Sequence, residues 1–403
     1  MIEVPSKEDF EALQAQMAVK PALITGPPGN DGLPGPPGKD GAPGPPGPPA
    51  FIPVCRRLSE FSGATDDDRF AAAAAYAGAQ TYRGISIQLD EMRTYRVTRP
   101  LPVYGGFSIV GAAGRPVDQA RASLPIPNKV DIRMTGGWLR LPDGKVYGVS
   151  QNGVSFDGSA TARVFEPNPK CVLWTSTFRD VSMQNLASFI GSKAVMQPVD
   201  FMTMDGFWNL NNIRECAWNI GGSDCFIKPT GMNLDTIPSS LAPAEFLTRF
   251  SALGVTYVSG LYITAEQHSA MLIQFGNNGD LRIRDSNLMG RNASQPCYGA
   301  LVRITGGNVQ FRDCNTYFAM SDPSKTGRDD AGVFHMTGGN VQIVGNQYIR
   351  ATGVAETVPY ICQAGGVLDV AQIRTDGTWT GKPVVLHKGG TLTHDDSVTV
   401  VEG

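Results

Sequence analysis

The chain is poor in the residues that announce common chemistries. It has four histidines, no C-x-x-C pair, no G-x-S-x-G elbow, and no apolar run long enough to span a membrane. Its 403 residues carry 34 Lys and Arg against 37 Asp and Glu, a formal net charge of -3, so no excess of positive charge is available for a nucleic acid. The 7 cysteines (Cys55, Cys171, Cys216, Cys225, Cys297, Cys314 and Cys362) are an odd number, which excludes a complete intrachain disulfide framework and favours buried free thiols. His268, His335, His387 and His394 are scattered, and His394-Asp395-Asp396 reads as a turn, so no metal or cofactor is called for. The opening MIEVPSKEDFE is acidic where a signal peptide is basic and then apolar, so another export route is expected and membrane insertion is not.

What the chain has in abundance is glycine, 47 residues, with 29 prolines, and part of it is strictly periodic. Residues 1–25 form a first section, in which Ser6 can cap a short helix and Phe10, Leu13 and Met17 make an apolar stripe. Such a stripe needs copies of itself or a docking partner, because one short helix is marginal alone. Residues 26–49 follow as eight uninterrupted Gly-x-y triplets, with Gly26, Gly29, Gly32, Gly35, Gly38, Gly41, Gly44 and Gly47 in register and proline at most outer positions. Only glycine fits the crowded axis of three extended chains, so this period predicts a collagen-like triple helix and a homotrimer. At about 3.1 Å per residue the stalk spans on the order of 70 Å.

Residues 50–127 read as a linker and a cap: Asp66 to Asp68 can cap an alanine-rich helix starting near Phe70, followed by strands at Ile85 to Leu89, Tyr95 to Thr98 and Phe107 to Val110. From 128 to 403 the helical period disappears and short strands recur between Gly, Asn and Asp turns. Thr305-Gly306-Gly307-Asn308-Val309-Gln310 returns as Thr337-Gly338-Gly339-Asn340-Val341-Gln342, with looser echoes at Thr135-Gly136-Gly137, Ala364-Gly365-Gly366 and Lys388-Gly389-Gly390. FRDVSMQN, LRIRDSNL and VQFRDCN repeat a second pattern, an alternating strand entering an Asp or Asn turn. One such unit cannot cover its own apolar face, so the units must stack, and an all-β, right-handed parallel β-helix is expected.

The run from Thr65-Asp66-Asp67-Asp68 through the alanine helix, Ile85 to Leu89, Tyr95-Arg96-Val97 and Phe107-Ser108-Ile109-Val110-Gly111 resembles the opening of pectate-lyase-like β-helix proteins, particularly bacteriophage tail spikes. Glu91-Met92-Arg93-Thr94-Tyr95 stands where that family has P-x-G-x-Y. Collagen-like triplets joined to such a domain are similar to minor tail proteins and tail fibres of phages of actinobacteria. The resemblance implies a homotrimer, assembled in the host cytoplasm and placed at the distal tail of the virion. Its N-terminus would meet other tail proteins and its C-terminal part a host-surface glycan. A polysaccharide depolymerase, lyase or hydrolase, is the alternative, and a non-viral collagen-like adhesin a third reading.

Cleavage of a glycan needs two carboxylates about 5 to 9.5 Å apart, or a base with charge neutralisation. Asp280 and Asp285, beside Arg282 and Arg284, are the first candidates, then Asp329 in Arg328-Asp329-Asp330, then Glu215 and Glu266. Against them stands the habit of turn aspartates of capping their own backbone. Trp208, Tyr257 and Tyr262 are the candidate glycan contacts, core or interchain packing being the competing role.

Overall fold

The computed structural model describes residues 54–79, 85–90, 93–111, 131–134, 139–158, 161–236, 246–251, 254–265, 269–273, 279–290, 300–318, 332–350, 358–377 and 381–403. The N-terminal stripe, the Gly26 to Gly47 triplets, Thr135-Gly136-Gly137, Cys297, Glu266 and Asp329 lie outside the described residues.

The chain from Val54 onward winds into a right-handed parallel β-helix with three faces. A late rung shows the unit: Asp280–Arg284 on the first face, Asn287–Gly290 on the second and Val302–Ile304 on the third. The third face is an 11-stranded parallel sheet stacked in order from Gly144–Tyr147 to Thr399–Glu402. In the middle rungs single strands such as Thr203–Ile213 and Cys225–Thr236 run through the corner between the first two faces. The stack begins at Val54–Arg57, paired to Ile85–Gln88 and on to Phe107–Val110, so residues before 128 already supply first-face rungs.

The textual repeats are rungs. Asp280, Asn308, Asn340, Val367 and Thr391 align in register, giving steps of 28, 32, 27 and 24 residues. Asn340 Nδ2 donates to Asn308 Oδ1 at 3.0 Å, and Asn315 Nδ2 to Asn287 Oδ1 at 2.9 Å, so amide ladders bond one rung to the next. The Gly-Gly motif is the turn from the third face to the first: Gly307 and Gly339 have φ of 85° and 88°, which L side chains avoid. At the next corner Asp285 and Asp313 hold φ of 48° and 54°, as the Asp turns of the repeat predicted. Inward positions fill with Ile, Leu, Val and Phe, and Phe165, Phe178, Phe189 and Trp208 form a core cluster with centroids 5.2 to 5.7 Å apart. Of the six described cysteines five are buried free thiols and Cys55 is exposed.

The helix α1 spans Asp66–Ala79 and buries Phe70, Ala73, Ala74 and Ala77. Its cap is Thr65, whose Oγ1 accepts the Asp68 amide while Asp68 Oδ2 accepts the Thr65 amide, both at 3.2 Å. The aspartates expected to be the cap therefore sit inside the first turn, and two of them reach further. Asp66 accepts the Arg96 amide at 2.9 Å and Asp67 the Thr98 amide at 2.9 Å, which pairs the open edge of strand Thr94–Val97 with carboxylates. Asp67→Ala is expected to cost about 1 to 2 kcal/mol in chemical denaturation, because the Thr98 amide and hydroxyl lose their acceptor. Hydrogen bonds from Thr65, then the Arg99 ion pair, hold the Asp68 carboxyl below its ordinary value. Its contribution is present above the unfolded-state pKa and is lost as pH falls through the lower folded one, so acid loosens this cap. No helix among the described residues is long and apolar enough to cross a membrane.

Candidate functional site

The first two carboxylate candidates, Asp280 and Asp285, are held apart. Asp280 opens a first-face strand, accepts Asn308 Nδ2 at 3.0 Å and lies 3.5 Å from Arg282 Nη2, so it ends an amide ladder. Asp285 is the corner residue five positions on, roughly 16 Å along an extended strand, too far to share a water with Asp280. Its neighbour is Asp313, at the same corner of the next rung, whose carboxylate pairs with Arg374 at 3.7 Å. Glu215 forms an ion pair with Arg163 and accepts the Lys193 amide at 3.4 Å.

Of the three candidate aromatics Tyr262, 40% exposed, is the most open to solvent. Trp208 is 2% exposed, donates its Nε1 to the Asp205 carbonyl at 2.7 Å and packs edge-on against Phe189. The reason is strand parity: Trp208 shares the inward side of its strand with Met204 and Leu210, both 0% exposed. Tyr257 is on the outside but spent. It stacks on Phe226 at 5.4 Å and 6°, with Arg282 5.4 Å from its ring centroid and Lys228 4.9 Å from that of Phe226. Parallel rings that close leave no room between them, so the cations cover the outer sides. Tyr257 has no free face for a sugar.

The structure exposes a different strip. Tyr147, Trp174 and Phe201 follow one another on successive rungs at the corner between the third and first faces, with centroids 5.9 and 5.4 Å apart. The rings are tilted by 51° and 52°, so they do not cover one another as Phe226 and Tyr257 do. Tyr147 is 51% and Phe201 45% exposed, and Trp174 is half-buried between them. Lys145 Nζ sits 4.2 Å from the Trp174 centroid, and Asp200 accepts the Ser223 hydroxyl at 2.7 Å beside Phe201. Burial, with Asp200 and Asp224 adding negative charge, pushes the Cys225 thiol beneath this corner up to about 12, which keeps it inert. A ruffled apolar strip flanked by an ammonium, carboxylates and hydroxyls can stack flat rings and hydrogen-bond their substituents. A sequence signal existed for it. The three aromatics recur at steps of 27 residues, the first a whole rung and the second one residue more than the rung that pairs Trp174 with Asp200.

Phe201 holds φ of 51° and Thr175 φ of 53°, at the corner position that glycine fills as Gly148 one rung earlier. A bulky or β-branched residue costs about 1 to 2 kcal/mol there. Phe201→Asn is therefore expected to raise thermal stability by about 1 kcal/mol while weakening whatever the strip binds. Equal stability and unchanged binding would show that the strained phenylalanine has no function.

No protein-family model matches the sequence, and no curated protein matches it. Solved structures do. A double mutant of the tailspike protein of E. coli bacteriophage HK620 aligns with 9% identity and TM-score 0.50 over 87% of this chain and 67% of its own. The chain shares the parallel β-helix fold of that tailspike. A single mutant of that tailspike, in complex with a pentasaccharide, aligns at 8% identity and TM-score 0.50 over 87% of this chain and 66% of its own. ORF18 of Geobacillus virus E2 aligns at 11% identity and TM-score 0.45, over 87% of this chain and 62% of its own.

Proposed function

We propose that this chain is a structural, host-surface-binding component of a phage tail, a trimeric spike or fibre that holds an envelope glycan on the Tyr147, Trp174 and Phe201 strip. The strip carries this reading: three aromatics presented to solvent on three successive rungs, one of them at a conformational cost. A solvated surface of a solenoid that serves only as a spacer has no need of it. The tailspike fold, and a tailspike in complex with a pentasaccharide, support the same reading.

In this reading the Gly26 to Gly47 triplets form the stalk, residues 1–25 meet other tail proteins, and the assembled trimer stands at the distal tail of the virion. Three parallel chains multiply weak sugar contacts through effective concentration. Binding is preferred to cleavage because, of the described candidate carboxylates, Asp280 and Asp285 stand apart, and Asp280 and Glu215 are tied to Asn308 and Arg163. The test is incubation of the purified protein with isolated envelope polysaccharides of candidate hosts, followed by pull-down and by mass spectrometry of the supernatant. Retention without new fragments is expected; new oligosaccharides would make the protein a depolymerase. Residues 50–403 are expected to stay trimeric without the stalk in light scattering, since the large domain can bury far more surface than the N-terminal stripe. A monomer would place trimerisation in residues 1–49.

A further inference from the structure

We propose that Gln151 and Ser176 hold internal water inside the solenoid, behind the corner that carries Trp174. Two columns of inward side chains run down this part of the first face. One passes in register through Ile109, Gln151, Phe178, Met204 and Ile227, all 0 or 1% exposed, and Gln151 is the polar exception. The other follows the preceding corner through Val149, Ser176, Met202 and Cys225, where Ser176 brings a hydroxyl. The two exceptions are neighbours. Thr177 pairs with Ser150, so Ser176 lies beside Val149 on the next rung and diagonally from Gln151, with backbones about 8 Å apart by strand spacing and rise. Gln151 Oε1 and Nε2 and Ser176 Oγ are all buried without a hydrogen-bonding partner among the described residues. A buried amide left unpaired is far less favourable than the isoleucine or phenylalanine that fills the same place on the adjoining rungs. Water answers this: it donates to the amide oxygen, accepts from the amide N–H, and does either with the hydroxyl. Ser176 leaves room for it, being smaller than both Val149 and Met202 in its column, and the two side chains supply the polar partners a buried water needs. The corner in front is a strained one, since Thr175 between Trp174 and Ser176 holds φ of 53°. Water bound there supports that turn from behind, whether or not the strip binds a glycan.

Chemical denaturation of the full chain tests this with Gln151→Leu, Ser176→Ala and the double variant. With water bound, each single change takes a partner from the water and leaves the other polar group short of one, so the folding equilibrium constant is expected to fall roughly tenfold. The double variant removes both polar groups together and is expected to be more stable than either single variant. If no water is held, the parent already carries the unpaired amide, and Gln151→Leu would raise the denaturation midpoint; that result would overturn the proposal. Oxygen-17 magnetic relaxation dispersion of the same proteins reads the water itself. The double variant is expected to lose long-lived internal water relative to the parent. An unchanged amount of long-lived water would overturn the proposal even where both single variants are destabilised, since packing alone would then account for their loss.

Discussion

Trp174→Ala is expected to weaken retention of the envelope polysaccharide by roughly 30-fold, about 2 kcal/mol, the size of a tryptophan hot spot. Trp174 is the middle ring of the strip and contacts both Tyr147 and Phe201, so its loss splits the strip into two isolated rings. It also frees Lys145, whose ammonium rests over the indole. The fold should barely respond, by about 1 kcal/mol or less, because the ring is half-buried and the core residues of that strand are Cys171 and Leu173, both 0% exposed. Pull-down titration against a thermal melt separates the two effects. Binding within about twofold of the parent would show that the strip is not the site. Tyr257→Ala is the matched control: its ring is already covered by Phe226 and Arg282, so it should leave retention close to the parent's.

Gly222→Ala is expected to destabilise the solenoid by on the order of 3 kcal/mol or more, read as a lower denaturation midpoint. Gly222 pairs in register with Val199 on the third face, and a Cβ there would lie 1.5 Å from the Val199 carbonyl oxygen and 2.6 Å from its carbon. Both are backbone atoms of a strand stacked on its other side against Cys171–Trp174, so neither can swing away. Relief requires the rung to move, and that motion disturbs the Asp200 and Ser223 hydrogen bond at the end of the same two strands, next to Phe201. Gly105→Ala should stay within about 0.5 kcal/mol, since its nearest contact would be an ordinary 3.4 Å. Equal stability of the two variants would show that the rungs can separate where the third face brings them together.

The sequence by itself determined the period and the corners. Repeats such as Thr305 to Gln310 and Thr337 to Gln342 are local, and the physics behind them is local too: glycine or aspartate for left-handed φ, alternation for a strand with one buried side. The exposed strip left a trace of the same kind, since Tyr147, Trp174 and Phe201 recur within one residue of the length of a rung. Only the tertiary structure decided which aromatics face out, because that depends on strand parity and on whether a ring's faces are taken by another rung. Strand parity puts Trp208 inside with Met204 and Leu210, and a partner on the next rung closes Tyr257, while the tilt of its neighbours leaves Trp174 usable. The carboxylates follow the same rule. Asp66 and Asp67 find the amides of Arg96 and Thr98, 30 and 31 residues away in sequence, whereas Asp280 and Asp285, five positions apart, never meet. Turn chemistry is written in neighbouring residues, but contact between rungs is set by register, which no single stretch of sequence contains.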